Sequence, residues 1–158
     1  GPINVRTSGG LGEYINGGPS KLSTYSGGML FDQTVTAGKV GVKPAVAISS
    51  DSALGLIPNQ GAWTTATKVQ KLNKYVTWRF TAGSALAGKL VQIQVAAKNS
   101  SGGWSLFSTL TSAKVDSSGV AYFQWRQKTP AWLSVRAYYP GDISLAESWS
   151  PARQARWR

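Results

Sequence analysis

The sequence predicts an all-β chain, with an antiparallel β-sandwich in its C-terminal half, extra short strands before it and an extended Gly-rich N-terminus. Three observations carry this. No stretch keeps a helical 3.6-residue apolar period over three turns. From residue 72 onward, apolar and polar residues alternate in about seven short runs, with turn signals roughly every 8–12 residues, the spacing of a sandwich. The chain has 158 residues and no cysteine, so the fold rests on a buried core rather than on disulfides.

Residues 1–28 are punctuated by SGG (8–10), NGG (16–18) and SGG (26–28). Glycine costs much entropy to order and buries little, so an extended tail is expected. Within it INVRT alternates, and Ile3, Asn4, Val5, Arg6 and Thr7 have the pattern to add as a strand to an open sheet edge. Residues 29–71 hold short apolar runs: MLFDQTVT (29–36), KVGVKPAVAI (39–48), ALGLI (53–57) and AWTTATKV (62–69). Pro44, Pro58 and several glycines separate them. They are expected to form a short-strand β region of their own.

The C-terminal region, 72–158, reads more clearly. YVTWRF (75–80) places Val76, Trp78 and Phe80 on one face. KLVQIQVAA (89–97) turns Val91, Ile93, Val95 and Ala97 inward and Gln92 and Gln94 outward. NSSGG (99–103) is a loop, and WSLFSTL with TSAKV makes one or two further strands. Asp116-Ser117-Ser118-Gly119 is a turn, with Gly119 suited to a positive φ. VAYFQWRQ (120–127) sets Ala121, Phe123 and Trp125 against Tyr122, Gln124 and Arg126. In WLSVRAYY (132–139), Leu133, Val135, Ala137 and Tyr139 form the apolar face, and Trp132, Ser134, Arg136 and Tyr138 the other. Pro140-Gly141-Asp142 ends that run, and a last extended stretch covers 147–157.

The motifs GKLVQIQV, the Gly102-Gly103-Trp104 loop, KVDSSGVAYFQW, LSVRAYYPGD and the closing SWSPARQARW together resemble the Ig-like repeat domains of bacterial secreted and cell-surface proteins. The resemblance covers about residues 72–158. It implies an Ig-like sandwich serving as a spacer, an adhesive module or a polymer subunit, and it transfers no catalytic residue. The basic ending, with Arg153, Arg156 and Arg158, departs from the family's apolar last strand. The N-terminal part has no such resemblance.

The net charge is +11, with a pI near 10.2. Residues 1–67 hold four basic groups against three acids, and residues 68–158 hold thirteen against three. Such a balance favours anionic partners. The positives are dispersed rather than clustered, which argues against nucleic acid. With no histidine and no cysteine, triad and thiolate chemistry are excluded. The six acids are scattered, and no phosphate-cradling loop is framed by a strand and a helix. No enzymatic activity, metal or cofactor is therefore expected. No apolar run reaches membrane-spanning length, and none reads as a signal peptide. The start at Gly1-Pro2 reads as a processed end or a protease scar. The many Ser, Thr and Gly residues point to an extracellular or cell-surface protein.

Two surfaces are candidates. Trp104, Trp132, Arg136 and Tyr138 are possible contacts for an anionic glycan or other polyanion. Arg153, Arg156 and Trp157, in a Trp/Arg-rich ending, read as an assembly interface together with residues 3–7, because both residue types are enriched at protein contacts. Asn99-Ser100-Ser101 matches a glycosylation acceptor at Asn99. Three functions stay open at this point. The first is a structural subunit of a filament or surface layer, self-associating through strand addition by the tail. The second is an extracellular binding module for anionic glycans. The third is a piece of a larger adhesin.

Overall fold

The structure is a computed structural model that describes residues 42–57 and 61–158. The chain divides after Lys43, and every element below lies in the unit Pro44–Arg158. The expected tail, with its strand-forming residues 3–7, and the run at 29–36 lie outside the described residues.

The architecture is an all-β sandwich. One sheet has three antiparallel strands: β1 (Ser49–Leu54), β3 (Tyr75–Thr81) and β6 (Val120–Arg126), in the order β1-β3-β6. The other contains β2 (Lys68–Gln70), β4 (Leu90–Ala97), β5 (Ser108–Lys114), β7 (Ala131–Tyr139), β8 (Ser148–Trp149) and β9 (Arg153–Trp157). Its order is β2-β9-β7-β4-β5, with β8 also paired to β7. Within it only β2 and β9 run parallel. A 3-10 turn at Ser84–Leu86 carries the chain from β3 across to β4.

The inward faces are the alternating sets. Val76, Trp78 and Phe80 pair in register with Trp125, Phe123 and Ala121. Opposite them lie Val91, Ile93, Leu133, Val135, Ala137, Ala155 and Trp157, all in one apolar core closed by Leu86 and Val115. Each fully buried large side chain contributes roughly 1.5–3 kcal/mol. Both core indoles find acceptors. Trp78 Nε1 donates to the Arg153 carbonyl at 3.0 Å and Trp157 Nε1 to the Lys74 carbonyl at 2.8 Å. Trp78 packs between Phe123 and Trp157, with ring centroids 5.7 and 6.4 Å away.

The sandwich begins earlier than residue 72. β1 and β2 come from the stretch expected to stand apart, yet β1 pairs along its whole length with β3 and β2 pairs with β9. The physical reason is visible in β1. Register puts Ser50 and Ser52 on the inward face, opposite Phe80 and Trp78, and both are buried. A strand whose inward residues are serines carries no apolar alternation to find. The Ser50 hydroxyl donates to the Pro151 carbonyl, and Arg153 Nε donates to the Ser50 carbonyl at 2.9 Å. Polar groups thus tie β1 across to the other sheet.

The last extended stretch is two strands. Pro151 interrupts it, and Ser150 stands in the break, its N–H donating to the Ala137 carbonyl and its hydroxyl accepting from the Ala137 N–H. In β4 the inward set holds for Val91 and Ile93, and Val95 packs half-buried against the core, whereas Ala97, the last residue of the strand, is exposed.

The Pro140-Gly141-Asp142 turn is pinned by Asp142. Its carboxylate accepts from the Tyr139 hydroxyl, from the Ser144 and Leu145 N–H groups at 2.7 and 2.8 Å, and pairs with Lys89 at 3.2 Å. The Tyr139 hydrogen bond, first among these, holds the Asp142 carboxyl well below the usual carboxylate range. The same bond pushes Tyr139 up to about 12. A depressed acid stabilises the fold above its unfolded-state pKa and loses that contribution as pH falls through the folded value. A raised tyrosine does the reverse, losing its contribution as pH climbs past the ordinary value of 10.0. Thermal melting from pH 2 to 7, roughly the span over which carboxylates titrate, is expected to fall more steeply on the acid side for wild type than for Asp142→Asn. Parallel curves would show that Asp142 contributes no such linkage.

Candidate functional site: the outer face of the six-stranded sheet

Each acid among the described residues has a local partner. Asp51 pairs with Arg79 through two hydrogen bonds, at 3.1 and 2.6 Å. Asp116 caps its turn by accepting from the Ser118 and Val120 N–H groups. Asp142 pins its loop, and Glu147 accepts from the Tyr138 hydroxyl at 2.6 Å. Among the described residues no three potential metal ligands come together, and no helix is long and apolar enough to cross a membrane. On the outside of the three-stranded sheet the Arg79 guanidinium lies over Trp63, 4.4 Å from its ring centroid, and Trp63 reaches Tyr122. Arg79 is thus already matched by Asp51.

The outside of the other sheet is different. Alternation along β7 sends Trp132, Ser134, Arg136 and Tyr138 to this face, and register adds neighbours on both sides. Arg156 of β9 pairs directly with Trp132. On the β4 side, the Lys98 N–H donates to the Trp132 carbonyl at 2.9 Å. The Trp132 indole therefore lies between two cations: Lys98 Nζ is 3.9 Å and the Arg156 guanidinium 4.6 Å from its centroid. Each such contact contributes about 0.5–2 kcal/mol. Trp104, brought in by its bridge to Lys98, meets Trp132 edge-on at 6.2 Å.

Four residues along β7, Arg136 donates to the Gln94 side chain at 2.8 Å, and its guanidinium lies 4.0 Å from the Phe107 centroid. At the far end Tyr138 stacks on Trp149 at 4.9 Å, its partner across the β7–β8 pair. The Glu147 hydrogen bond holds the Tyr138 hydroxyl above its ordinary pKa. Between the ends lie Ser134 and Ala96, opposite each other in register. They face outward yet are only 6% and 2% exposed, so the larger side chains around them roof the sheet. The result is a strip of aromatic rings and cations with a polar floor.

The four glycan candidates, Trp104, Trp132, Arg136 and Tyr138, thus share this face. Their roles divide. Trp104 is 37% exposed and Trp149 47%, so these indoles present ring surface. Trp132 is half-buried and flanked by cations, so it holds them rather than offering an open stacking face. The assembly candidates separate as well. Trp157 is fully buried in its own core and is removed from any interface. Arg153 is half-buried against β1, and Arg156 belongs to the Trp132 cluster. Trp149, in the same ending, stacks on Tyr138. Asn99 is exposed, and its side-chain oxygen accepts from the Ser101 and Gly103 N–H groups, shaping the loop.

Lys98, Phe107 and Gln94 were not singled out from sequence as contact residues. For Lys98 the signal existed: continuing the parity of Gln92 and Gln94 through Ala96 reaches it. For Phe107 none existed, because it lies before β5 in a loop whose path alternation does not set. No protein-family model matches the chain, and no curated protein matches it in sequence.

Proposed function

We infer that the protein is a non-enzymatic extracellular binding module for an anionic polymer, engaged by the outer face of the six-stranded sheet. The observation that carries this is the Trp132 cluster, where one indole orients Lys98 and Arg156 beside the exposed Trp104. The surplus of cations in residues 68–158 supports it by steering anionic chains to the surface. Binding of this kind weakens with salt, since exposed charges are screened over roughly 10 Å at 0.1 M.

Retention on an immobilised acidic glycan should therefore drop steeply across a salt series. The double variant Lys98→Gln/Arg156→Gln should bind at least about tenfold more weakly at low salt, while circular dichroism shows the β fold retained at the binding temperature. Absence of salt-sensitive retention in the wild type would remove the reading.

A second reading, a self-assembling subunit, is favoured by β6. Its seven residues pair regularly with β3, and among the described residues no strand lies on its other side. Such an edge templates further pairing. The β5 edge is guarded instead, by a register shift that leaves Leu110 unpaired. On this reading, deleting residues 1–18 yields folded monomers in place of polymers. Electron microscopy of the truncated chain decides it, and unchanged polymers would sink the tail mechanism.

A further inference from the structure

Resting on the binding-module reading, we propose that the ligand is a linear polysaccharide in which acidic sugars alternate with neutral ones, lying along β7 from Trp104 and Trp132 to Tyr138 and Trp149. The argument is one of spacing and chemistry. Trp132 and Tyr138 are six residues apart on one strand, which at about 3.3 Å per residue separates the two aromatic ends by about 20 Å. A small ligand cannot touch both ends, whereas an extended chain can.

Exposed indoles stand at the two ends, Trp104 at one and Trp149 at the other. Sugar rings present apolar C–H faces, and indole surfaces accept them. Charge is placed sparsely between those ends. Lys98 and Arg156 share the level of Trp132, and Arg136 lies four residues on, about 13 Å away. The stretch between holds Ser134, Ala96, Gln94 and Gln154, none of them charged; Ser134 and Ala96 are covered, and the half-buried Gln94 and Gln154 amides are the groups that can hydrogen-bond hydroxyls.

At the Tyr138 end stands Glu147, which disfavours an anionic group there. A chain with a charge on every unit would meet uncharged floor and then a carboxylate. Alternating charge fits the order cation pair, neutral floor, Arg136, neutral end. The same sparseness disfavours nucleic acid, whose phosphates recur at every nucleotide.

The test is a length series of hyaluronan oligosaccharides, with neutral chitin oligosaccharides, oligogalacturonides and oligothymidylates as comparisons, titrated calorimetrically at low salt. Hyaluronan affinity is expected to rise roughly tenfold to a hundredfold with length and to level off once the chain spans both ends. Trp104→Ala and Trp149→Ala, both at exposed indoles, should each reduce the long oligomer to the affinity of a short one and leave the short one's affinity at the other end unchanged.

If affinity climbs with total charge alone, without a plateau, and oligogalacturonides or oligothymidylates bind as tightly at equal charge, the alternating-chain proposal is overturned while the polyanion reading stands. If no anionic chain binds at low salt, both fall. Chitin oligosaccharides binding as tightly as hyaluronan would also overturn it, because the cations would then do nothing.

Discussion

Replacing Trp78 by alanine is expected to destabilise the fold by about 3–5 kcal/mol, the cost of removing a large aromatic from a packed core. In a domain of this size that corresponds to a fall in Tm of about 10–20 °C or to outright unfolding. Trp78 has no exposed surface and packs against Phe123 in its own sheet and Trp157 in the opposite one. Its loss therefore opens a cavity where the two layers meet. Trp78→Phe separates volume from hydrogen bonding. It keeps a ring but removes the indole N–H that donates to the Arg153 carbonyl, a hydrogen bond worth about 0.5–1.5 kcal/mol. Chemical denaturation should rank wild type above Trp78→Phe above Trp78→Ala. If the alanine variant melts within a few degrees of wild type, the two-sheet core is not built around this residue.

The second large effect concerns Gly119, where alanine should cost more than about 2 kcal/mol. Two terms combine. Its φ is +83°, in the left-handed region, where an L side chain costs roughly 1–2 kcal/mol. A Cβ there would also lie 2.4–2.5 Å from the Gly83 backbone, so the turn after β5 and the chain leaving β3 could not keep their approach. That approach is fastened by the Ala82 N–H donating to the Gly119 carbonyl at 2.8 Å. Gly88→Ala is the control: its φ is +80° but nothing lies near the added Cβ, so it reports the conformational term alone. The difference between the two variants measures the contact with Gly83. Equal losses would mean that the backbone shifts freely and the contact carries no cost.

These two residues differ in how much of their role could be read in advance. Trp78 is legible as core from the alternation of YVTWRF, and so are Phe123 and Tyr139 from theirs. Gly119 is legible as a positive-φ residue from the turn chemistry of Asp116-Ser117-Ser118-Gly119. Its approach to Gly83 is not, because the two lie thirty-six positions apart in the chain and nothing local signals which turn will meet which. β1 was missed as a member of the sandwich for a related reason. One of its inward serines, Ser50, is tied to the other sheet through Pro151 and Arg153, and such compensation is invisible in a strand's own pattern.

The outer face shows the same division. Parity along β7 by itself put Trp132, Ser134, Arg136 and Tyr138 on one side, because successive side chains of a strand must point to opposite faces. The charge imbalance and the absence of histidine and cysteine are likewise properties of the chain alone, and they narrow the chemistry before any folding is considered. Tertiary structure decided which cations stand beside which rings. Lys98 and Arg156 flank Trp132 because β4 and β9 are the neighbours of β7, and strand order is set by long-range pairing and sheet crossings that no local window encodes. It also decided that Trp157 is core while Trp149 faces solvent, though both sit among polar residues near the C-terminus. A residue's facing follows from its strand's parity, but what it faces depends on the rest of the fold.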